Sequence, residues 1–286
     1  MAIKRLNDNS RIVNKFWWIS LVCFCSKKYH LLKAFIKGGN KISILLSGDF
    51  HAGSTGELSN ICRSKLKGSW GDKYDTIKFQ IILGDAGFLW PGNERADRYN
   101  LKQLGFNPWP ILFLPGNHEP VLGMDLGQFK VADLGFGRPV YEILPNVYYM
   151  ERGYIYNIDG MTLAVLGGGL SIDKAHRTEG LSWWPEEQWS FTEEKECLTR
   201  MEGQTVDYVL SHVAPNSIAQ KLFHSELEYS GDKFIDRVAI FTDEIIKVLK
   251  YKQFYFAHWH FDRAIKEFCC LWKKTALITK DSCEEC

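Results

Sequence analysis

The stretch KISILLSGDFH (residues 41–51) joins a short run of aliphatic residues directly to an aspartate and a histidine. The run is apolar and contains two isoleucines, and Gly48 ends it, which is typical of a buried strand rather than a helix. Asp49 and His51 are two positions apart, so on extended chain both side chains lie on the same face. We therefore predict a strand that delivers two polar side chains from its carboxyl end.

Four more stretches have the same design, a short apolar run followed at once by polar residues. They are KFQIILGD (78–85), PILFLPGNH (110–118), VDYVLSH (206–212) and QFYFAHWH (253–260). Open α/β sheets bind ligands beyond the carboxyl ends of their strands. If these strands share a sheet, their polar ends converge. The residues expected at that edge are Asp49, His51, Asp85, Asn117, His118, His212, His258 and His260.

The expected cluster combines carboxylate oxygens with imidazole nitrogens, which suits Mn, Fe or Zn better than Mg or Ca. Two cations about 3.5–4 Å apart need a bridging ligand, for which a carboxylate is well suited, and such a pair holds a hydroxide and clamps a phosphoryl group. One Gly-Asp or one histidine at a strand end is ordinarily a turn or a surface residue, but five such ends in succession favour a shared metal site. His30, His176 and His224 fall outside the pattern and are interpreted as ordinary histidines.

Taken together, the motifs GDFH, GD, GNHE, SH and AHWH resemble those of the calcineurin-like metallophosphoesterase superfamily over about residues 41–265. The resemblance implies an α/β fold, arranged as a four-layer α/β/β/α sandwich. It also implies a hydrolase that cleaves phosphomonoesters or phosphodiesters with a hydroxide activated by a dinuclear metal centre. The implied cofactors are two divalent metal ions, Mn, Fe or Zn, with Mn favoured.

The resemblance also implies two sets of metal ligands. The first set is Asp49, His51 and His260, and the second set is Asn117, His212 and His258. Asp85 would bridge the two ions. His118 would lie beside the substrate phosphate, where it stabilises charge or protonates the leaving oxygen. Asp85 and His118 are therefore the predicted catalytic residues, and His118 is also a predicted substrate-binding residue.

A second block runs from Arg152-Gly153 through GGGLSIDK (167–174) and Arg177 to WWPEE (183–187), and it resembles a bacterial and phage-type branch of small metallophosphoesterases. Arg177, or Lys174, is a candidate for binding a substrate phosphate. The alternative is a solvated loop in which Arg177 forms an ion pair. Both interpretations stay open from the sequence.

Two positions depart from the common pattern of the family. The sequence after Gly84-Asp85 lacks the second acidic residue that many members carry, which argues against the protein-phosphatase branch. Ala257 stands where a glycine usually precedes the final HxH. If that position needs a positive φ, the extra methyl group strains the turn.

Composition narrows the remaining alternatives. The formal net charge is +1, so no general electrostatic attraction to nucleic acid or to an anionic membrane is expected. We expect a small phosphate ester as the substrate, with a nuclease as a less favoured alternative. A catalytically weak binding scaffold is the other alternative, and the oligomeric state is left open.

The chain ends carry their own expectations. Residues 1–40 are expected to form an N-terminal extension, with an apolar helix at FWWISLVCFC (16–25), and residues 266–286 a C-terminal tail. The CxxC at its end (283–286) is interpreted as frayed chain, with a zinc site as the weaker alternative. The apolar run is too short to span a bilayer, so a cytoplasmic protein is expected, with a membrane-associated or exported segment as the alternative. The eight cysteines are too sparse for a disulfide scaffold and are interpreted as reduced thiols.

Two local expectations concern the second half of the chain. Asp159-Gly160 is predicted to turn a hairpin between two strands. Residues 185–201 are predicted to be helical, with Ser182 as the N-cap.

Overall fold

The structure is a computed structural model, and it describes residues 42–51, 63–91, 107, 109–223 and 236–285. The predicted N-terminal extension (1–40), its apolar helix, His30 and His224 lie outside the described residues. The division of the chain at residue 41 therefore stays a prediction.

Eight strands of the described chain form the first sheet. They are β1 (Ser43–Ser47), β2 (Ile77–Ile82), β3 (Ile111–Phe113), β4 (Lys130–Ala132), β5 (Val140–Leu144), β6 (Val147–Tyr149), β13 (Thr275–Ile278) and β14 (Cys283–Glu285). Their spatial order is β14-β13-β1-β2-β3-β6-β5-β4. Strands β1, β2, β3 and β6 run parallel, so the carboxyl ends of the first three predicted strands lie along one edge.

Six described strands form the second sheet. They are β7 (Tyr154–Ile158), β8 (Met161–Val165), β9 (Tyr208–Leu210), β10 (Gln253–Phe256), β11 (Arg263–Ile265) and β12 (Phe268–Cys270), in the spatial order β11-β12-β10-β9-β8-β7. Strands β8, β9, β10 and β12 are parallel. The predicted hairpin joins β7 to β8, with Asp159 and Gly160 both at positive φ, as a tight two-residue turn requires.

Helices pack on the outer face of each sheet. The described α-helices are α1 (Arg63–Trp70), α2 (Phe191–Met201), α3 (Asn216–Leu222) and α4 (Arg237–Val248). Leu66 and Trp70 of α1 share a core with Leu45 of the first sheet. Cys197 of α2 and Phe241 of α4 share another with strands of the second sheet.

The two sheets meet face to face. The hydroxyl of Tyr208, on β9, donates to the backbone carbonyl oxygens of Thr279 (2.8 Å) and Ser282 (3.0 Å), which lie in the β13–β14 connection of the first sheet. With helices outside both sheets, this contact completes the four-layer α/β/β/α sandwich, and the predicted fold class is confirmed.

The predicted helix over residues 185–201 begins later than expected. A 3-10 turn occupies Pro185–Glu187, and α2 starts at Phe191. Ser190 is the N-cap instead of Ser182, because its side chain accepts from the backbone N–H of Glu193 while the Glu193 carboxylate accepts from the Ser190 N–H. This reciprocal capping box satisfies two backbone donors, so it decides where the helix starts.

The prediction of a frayed chain end at the CxxC is wrong for the part that the structure describes, and the tail over residues 266–286 contributes strands to both sheets. Strand β12 pairs with β10 inside the second sheet, and β13 pairs with β1 inside the first. Cys283 begins β14, which pairs with β13, while Cys286 lies outside the described residues. These strands satisfy backbone groups of β10 and β1 that would otherwise be sheet edges.

Two further expectations concern thiols and membranes. In the described part of the chain Cys197, Cys269 and Cys270 are buried and free, and Cys283 is exposed and free. The same part contains no helix with the length and apolar character needed to cross a bilayer.

The buried carboxylate of Asp207, just before β9, binds groups of the second sheet and a lysine in the β13–β14 connection of the first sheet. Asp207 accepts hydrogen bonds from Thr162 N (2.8 Å) and Thr162 Oγ1 (3.0 Å). Its oxygens also lie 2.7 Å from Lys280 Nζ and 2.8 Å from Lys252 Nζ. Burial alone would raise the pKa of Asp207, but the hydrogen bonds from the two lysines and Thr162 outweigh it and hold the pKa below its ordinary value.

We expect Asp207→Asn to lower the free energy of unfolding at pH 7 by about 2 kcal/mol, because charge-assisted hydrogen bonds to a buried carboxylate are lost. Because the pKa of Asp207 is lower in the folded state than in the unfolded state, its charge stabilises the fold fully above the unfolded-state pKa of about 3.9. This stabilisation is lost as the pH falls from there towards the pKa of the folded state. The difference between wild type and variant should therefore narrow below about pH 4. Urea unfolding across pH checks this.

The control for that experiment is Glu244→Gln, which removes an exposed ion pair to Lys247. Its effect should stay below about 0.5 kcal/mol at all pH values. A difference for Asp207→Asn that is constant with pH would contradict the assignment of the stabilisation to the carboxylate charge.

Candidate metal centre

The predicted polar strand ends converge at the edge where the two sheets meet. Asp49 and His51 follow β1, Asp85 follows β2, and Asn117 and His118 follow β3. From the second sheet, His212 follows β9, and His258 and His260 follow β10. Each sheet therefore contributes part of the cluster.

The first predicted ligand set comes together around Asp49. His260 Nε2 lies 3.2 Å from Asp49 Oδ2 and 3.3 Å from His51 Nε2. Ligand atoms of these three residues all lie within 4.8 Å of one another, as a single cation requires. Asp49 Oδ2 is buried and accepts no hydrogen bond from the described residues, so this oxygen is left for another partner.

The second predicted set also comes together. Asn117 Oδ1 lies 3.0 Å from His212 Nε2 and 3.1 Å from His258 Nδ1, and the two histidine nitrogens are 3.2 Å apart. Burial, followed by the neighbouring His212, lowers the pKa of His258 to about 4. The His258 imidazole is therefore neutral near pH 7, which is the form that binds metals.

Hydrogen bonds behind the second set decide which atoms face inward. His212 Nδ1 lies 2.8 Å from the carbonyl oxygen of Leu83, which can only accept, so Nδ1 carries the proton. The ring nitrogen that faces Asn117 Oδ1 is then Nε2, so an imidazole nitrogen and an amide oxygen lie side by side. Both are ligand atoms for a transition-metal cation, so the residues present fit a metal ion.

Asp85 lies between the two sets. Its Oδ1 accepts from the backbone N–H of His118 (2.7 Å) and lies 3.6 Å from His212 Nε2, and its Oδ2 lies 3.9 Å from His51 Nε2. Burial alone would raise the pKa of Asp85, but the charges of His212, His118 and His51 and the backbone hydrogen bond hold it below its ordinary value. An ionised carboxylate between two ligand sets is suited to bridging two cations. Ligand atoms of Asp49, Asp85 and His212 also form a compact group, so both aspartates border the second set.

Four of these residues have a left-handed backbone conformation. The φ angles are 41° at His51, 50° at Asp85, 69° at His258 and 54° at His260. Such values are uncommon for residues with a side chain and gather at functional sites, where the surrounding structure enforces them. Ala257 is outside this group, so the extra methyl group at that position does not meet a positive φ.

Glycines beside the cluster are required by close packing. A Cβ on Gly116 would collide with the carboxylate of Asp85, and a Cβ on Gly84, whose φ is 87°, would collide with the ring of His212. The glycines of the GD and GNHE motifs therefore bring strand ends close enough for the ligand atoms to meet.

Three residues to which the sequence assigned no role support the ligands, namely Ser171, Glu187 and Glu119. Asn117 Nδ2 donates to Ser171 Oγ (3.1 Å), and Ser171 N donates to the buried carboxylate of Glu187 (2.9 Å), which turns Asn117 Oδ1 towards the histidines. Glu119 is buried and accepts from the backbone N–H of Ala86, next to Asp85. Each lies inside a motif quoted above, but nothing in the spacing distinguishes it from its neighbours.

His118 and Arg177 face each other at the side of the cluster. Arg177 Nη2 lies 3.4 Å from His118 Nε2 and 2.7 Å from Asp173 Oδ2, and Nη1 donates to Ser182 O. Burial lowers the pKa of His118, although Asp85 opposes this. The two interpretations of Arg177 are therefore compatible, because it forms an ion pair and still reaches His118. Lys174 instead lies over the ring of Trp183.

A comparison with models of protein families gives a match over most of the chain. The model of the family described as calcineurin-like phosphoesterase matches residues 42–262, which include every predicted ligand. No curated protein matches the chain.

Divalent metal should stabilise the protein measurably. Apoprotein given Mn²⁺ at about 100 times the dissociation constant should gain about 2.7 kcal/mol per site. For a chain of this size the melting temperature should rise by about 5–10 °C for one site. Mg²⁺ and Ca²⁺ should give smaller shifts, because imidazole nitrogens dominate the sets.

The matched variants are His258→Ala, which removes a ligand, and His176→Ala, which removes an exposed histidine outside the cluster. Only the first should reduce the shift between metal-free and Mn²⁺-loaded protein. Equal shifts in both variants would contradict the placement of metal at this cluster.

Proposed function

The chain belongs to the calcineurin-like phosphoesterase family, a family of hydrolases that act on phosphoric ester bonds, and from this premise we propose that it hydrolyses small phosphomonoesters or phosphodiesters at a dinuclear metal centre. The single observation that supports two ions is the position of Asp85 between two complete ligand sets. The proposed sets are the two described above. The nitrogen-rich donors favour Mn, Fe or Zn, and we propose Mn.

Two bound divalent ions would supply Lewis-acid polarisation of phosphoryl oxygens and would lower the pKa of a water molecule. The role of the chain is to fix those ions at the meeting edge of the two sheets. The first set takes Asp49 and His51 from the first sheet and His260 from the second. Asp85 would lend its negative charge to both ions, so the ion of the second set, whose own ligands include no carboxylate, would still be held beside one.

His118 is proposed to act on the substrate directly. Its ring is 5.9 Å from that of His51, and its backbone N–H is held by Asp85, so it is fixed beside both ligand sets. A protonated His118 can donate to the leaving oxygen, and a neutral His118 can donate to a phosphoryl oxygen from the protonated ring nitrogen. Arg177 beside it offers a second, permanently charged donor to the phosphate.

A scaffold without catalysis is the alternative function. Nothing in such a scaffold would require the strained φ angles at His51, Asp85, His258 and His260, which cost free energy and bring ligand atoms together. The geometry therefore favours the enzyme.

We expect Asp85→Asn to lower kcat/KM by about 100-fold or more, because an amide cannot share a full negative charge between two ions. The assay uses p-nitrophenyl phosphate and bis(p-nitrophenyl) phosphate with Mn²⁺ added. Asp72→Asn, at an exposed carboxylate in the 3-10 turn before β2, should keep wild-type activity. Full activity of folded Asp85→Asn would refute the dinuclear assignment and leave the scaffold or a different site.

Arg177→Gln should lower kcat/KM for the same esters by about 10- to 100-fold, the value of one charge-assisted hydrogen bond. Arg177→Lys should restore part of the loss. Arg237→Gln is the control, because it removes an exposed ion pair to Glu194 on the helices of the second sheet. If Arg177→Gln has the same kcat/KM as Arg237→Gln, Arg177 does not bind the substrate phosphate and only stabilises its own loop.

A further inference from the structure

The segment from Leu271 to Lys274 passes from one sheet to the other beside the metal centre. It follows β12, and Leu271 N donates to Phe256 O at the end of β10 (2.8 Å). It leads into β13, where Thr275 pairs with Ser47 at the end of β1. The family match ends at residue 262, so this connection lies beyond it.

Trp272 in this segment packs on a predicted metal ligand. Its ring stacks on that of His260 with centroids 5.6 Å apart and an interplanar angle of 5°. The side chain of His260 is 50% exposed, whereas that of Asp49, in the same ligand set, is fully buried. Burial therefore does little to restrict the ring of His260, and the flat contact with Trp272 adds a restriction to the contacts of its Nε2 with Asp49 and His51.

Asp262 holds the segment in place. Its Oδ1 accepts from the backbone N–H groups of Trp272 (2.9 Å) and Lys274 (3.0 Å), and its Oδ2 accepts from Lys273 N (3.2 Å). Three successive backbone donors thus converge on one carboxylate, two residues after His260. The same carboxylate fixes both the backbone of Trp272 and the turn that carries the ligand.

We propose that Trp272 and Asp262 are positioning residues for the metal ion of the first ligand set, and that they act by fixing the ring of His260. This inference rests on the metal centre of the proposed function and extends it to Trp272, which lies beyond the family match. Neither residue touches the reacting atoms. Their effect should therefore fall on metal affinity at the first set and leave the second set unchanged.

The test is a titration of apoprotein with Mn²⁺, followed by electron paramagnetic resonance of free Mn²⁺. Wild type should bind two equivalents. Trp272→Leu keeps an apolar side chain but removes the flat ring, and it should weaken binding of one equivalent about tenfold, as loss of a contact that orients a ligand does. Trp272→Phe keeps a ring and should bind like wild type. Asp262→Asn should weaken the same equivalent.

Trp183→Leu is the matched control, a half-buried tryptophan under Lys174 on a different loop, and it should bind both equivalents like wild type. Equal binding by Trp272→Leu and Trp272→Phe would overturn the inference while leaving the proposed function intact. Equal weakening of both equivalents in Trp272→Leu would also overturn it. Wild-type protein that binds no Mn²⁺ would overturn the proposed function as well.

Discussion

The buried carboxylate of Asp85 is the group on which the rest of the site depends. Its backbone carbonyl accepts from Phe50 N (3.2 Å) and His51 N (2.8 Å), which joins the ends of β1 and β2. Its side chain accepts from His118 N, which joins the end of β3. One residue therefore sets the spacing of three strand ends. A buried negative charge is costly unless it is compensated, and here histidines and a backbone donor surround it.

The positions of the ligands could be predicted from the sequence because they depend on local rules. Short apolar strands bounded by glycine or proline place the following polar residue at a sheet edge, and parallel strands bring those edges together. The strand predicted in QFYFAHWH (253–260) is β10, and the two strands predicted on either side of Asp159-Gly160 are β7 and β8. The left-handed φ angles could not be predicted in this way, because tertiary contacts enforce them against local preference.

The rest of the fold depends on pairings that leave little local signal. Strand β12 has only three residues, and β14 consists of Cys283 and two glutamates, so neither shows the apolar alternation of a strand. Strand β12 forms because it pairs with the backbone of β10, and β14 forms because it pairs with the backbone of β13. At α2 two local signals competed: Pro185 suits the first turn of a helix, but the reciprocal bonds of Ser190 and Glu193 satisfied more backbone donors.

Each ligand set draws on both sheets, and this has a consequence for how the site is held. The distance from Asp49 to His260, like that from Asn117 to His212, is a distance between the two sheets. The ligand atoms of a functional metal site must lie within about 0.5 Å of their required positions. Face-to-face packing of apolar side chains alone does not fix the two sheets that accurately. Specific contacts between the sheets are therefore needed. Two are hydrogen bonds, from the Tyr208 hydroxyl to the β13–β14 connection and between His212 Nδ1 and the Leu83 carbonyl. The third is the chain segment that passes from β12 in the second sheet to β13 in the first. The chain beyond residue 262 supplies the acceptors of the first contact and the whole of the third, so it helps to hold the site together.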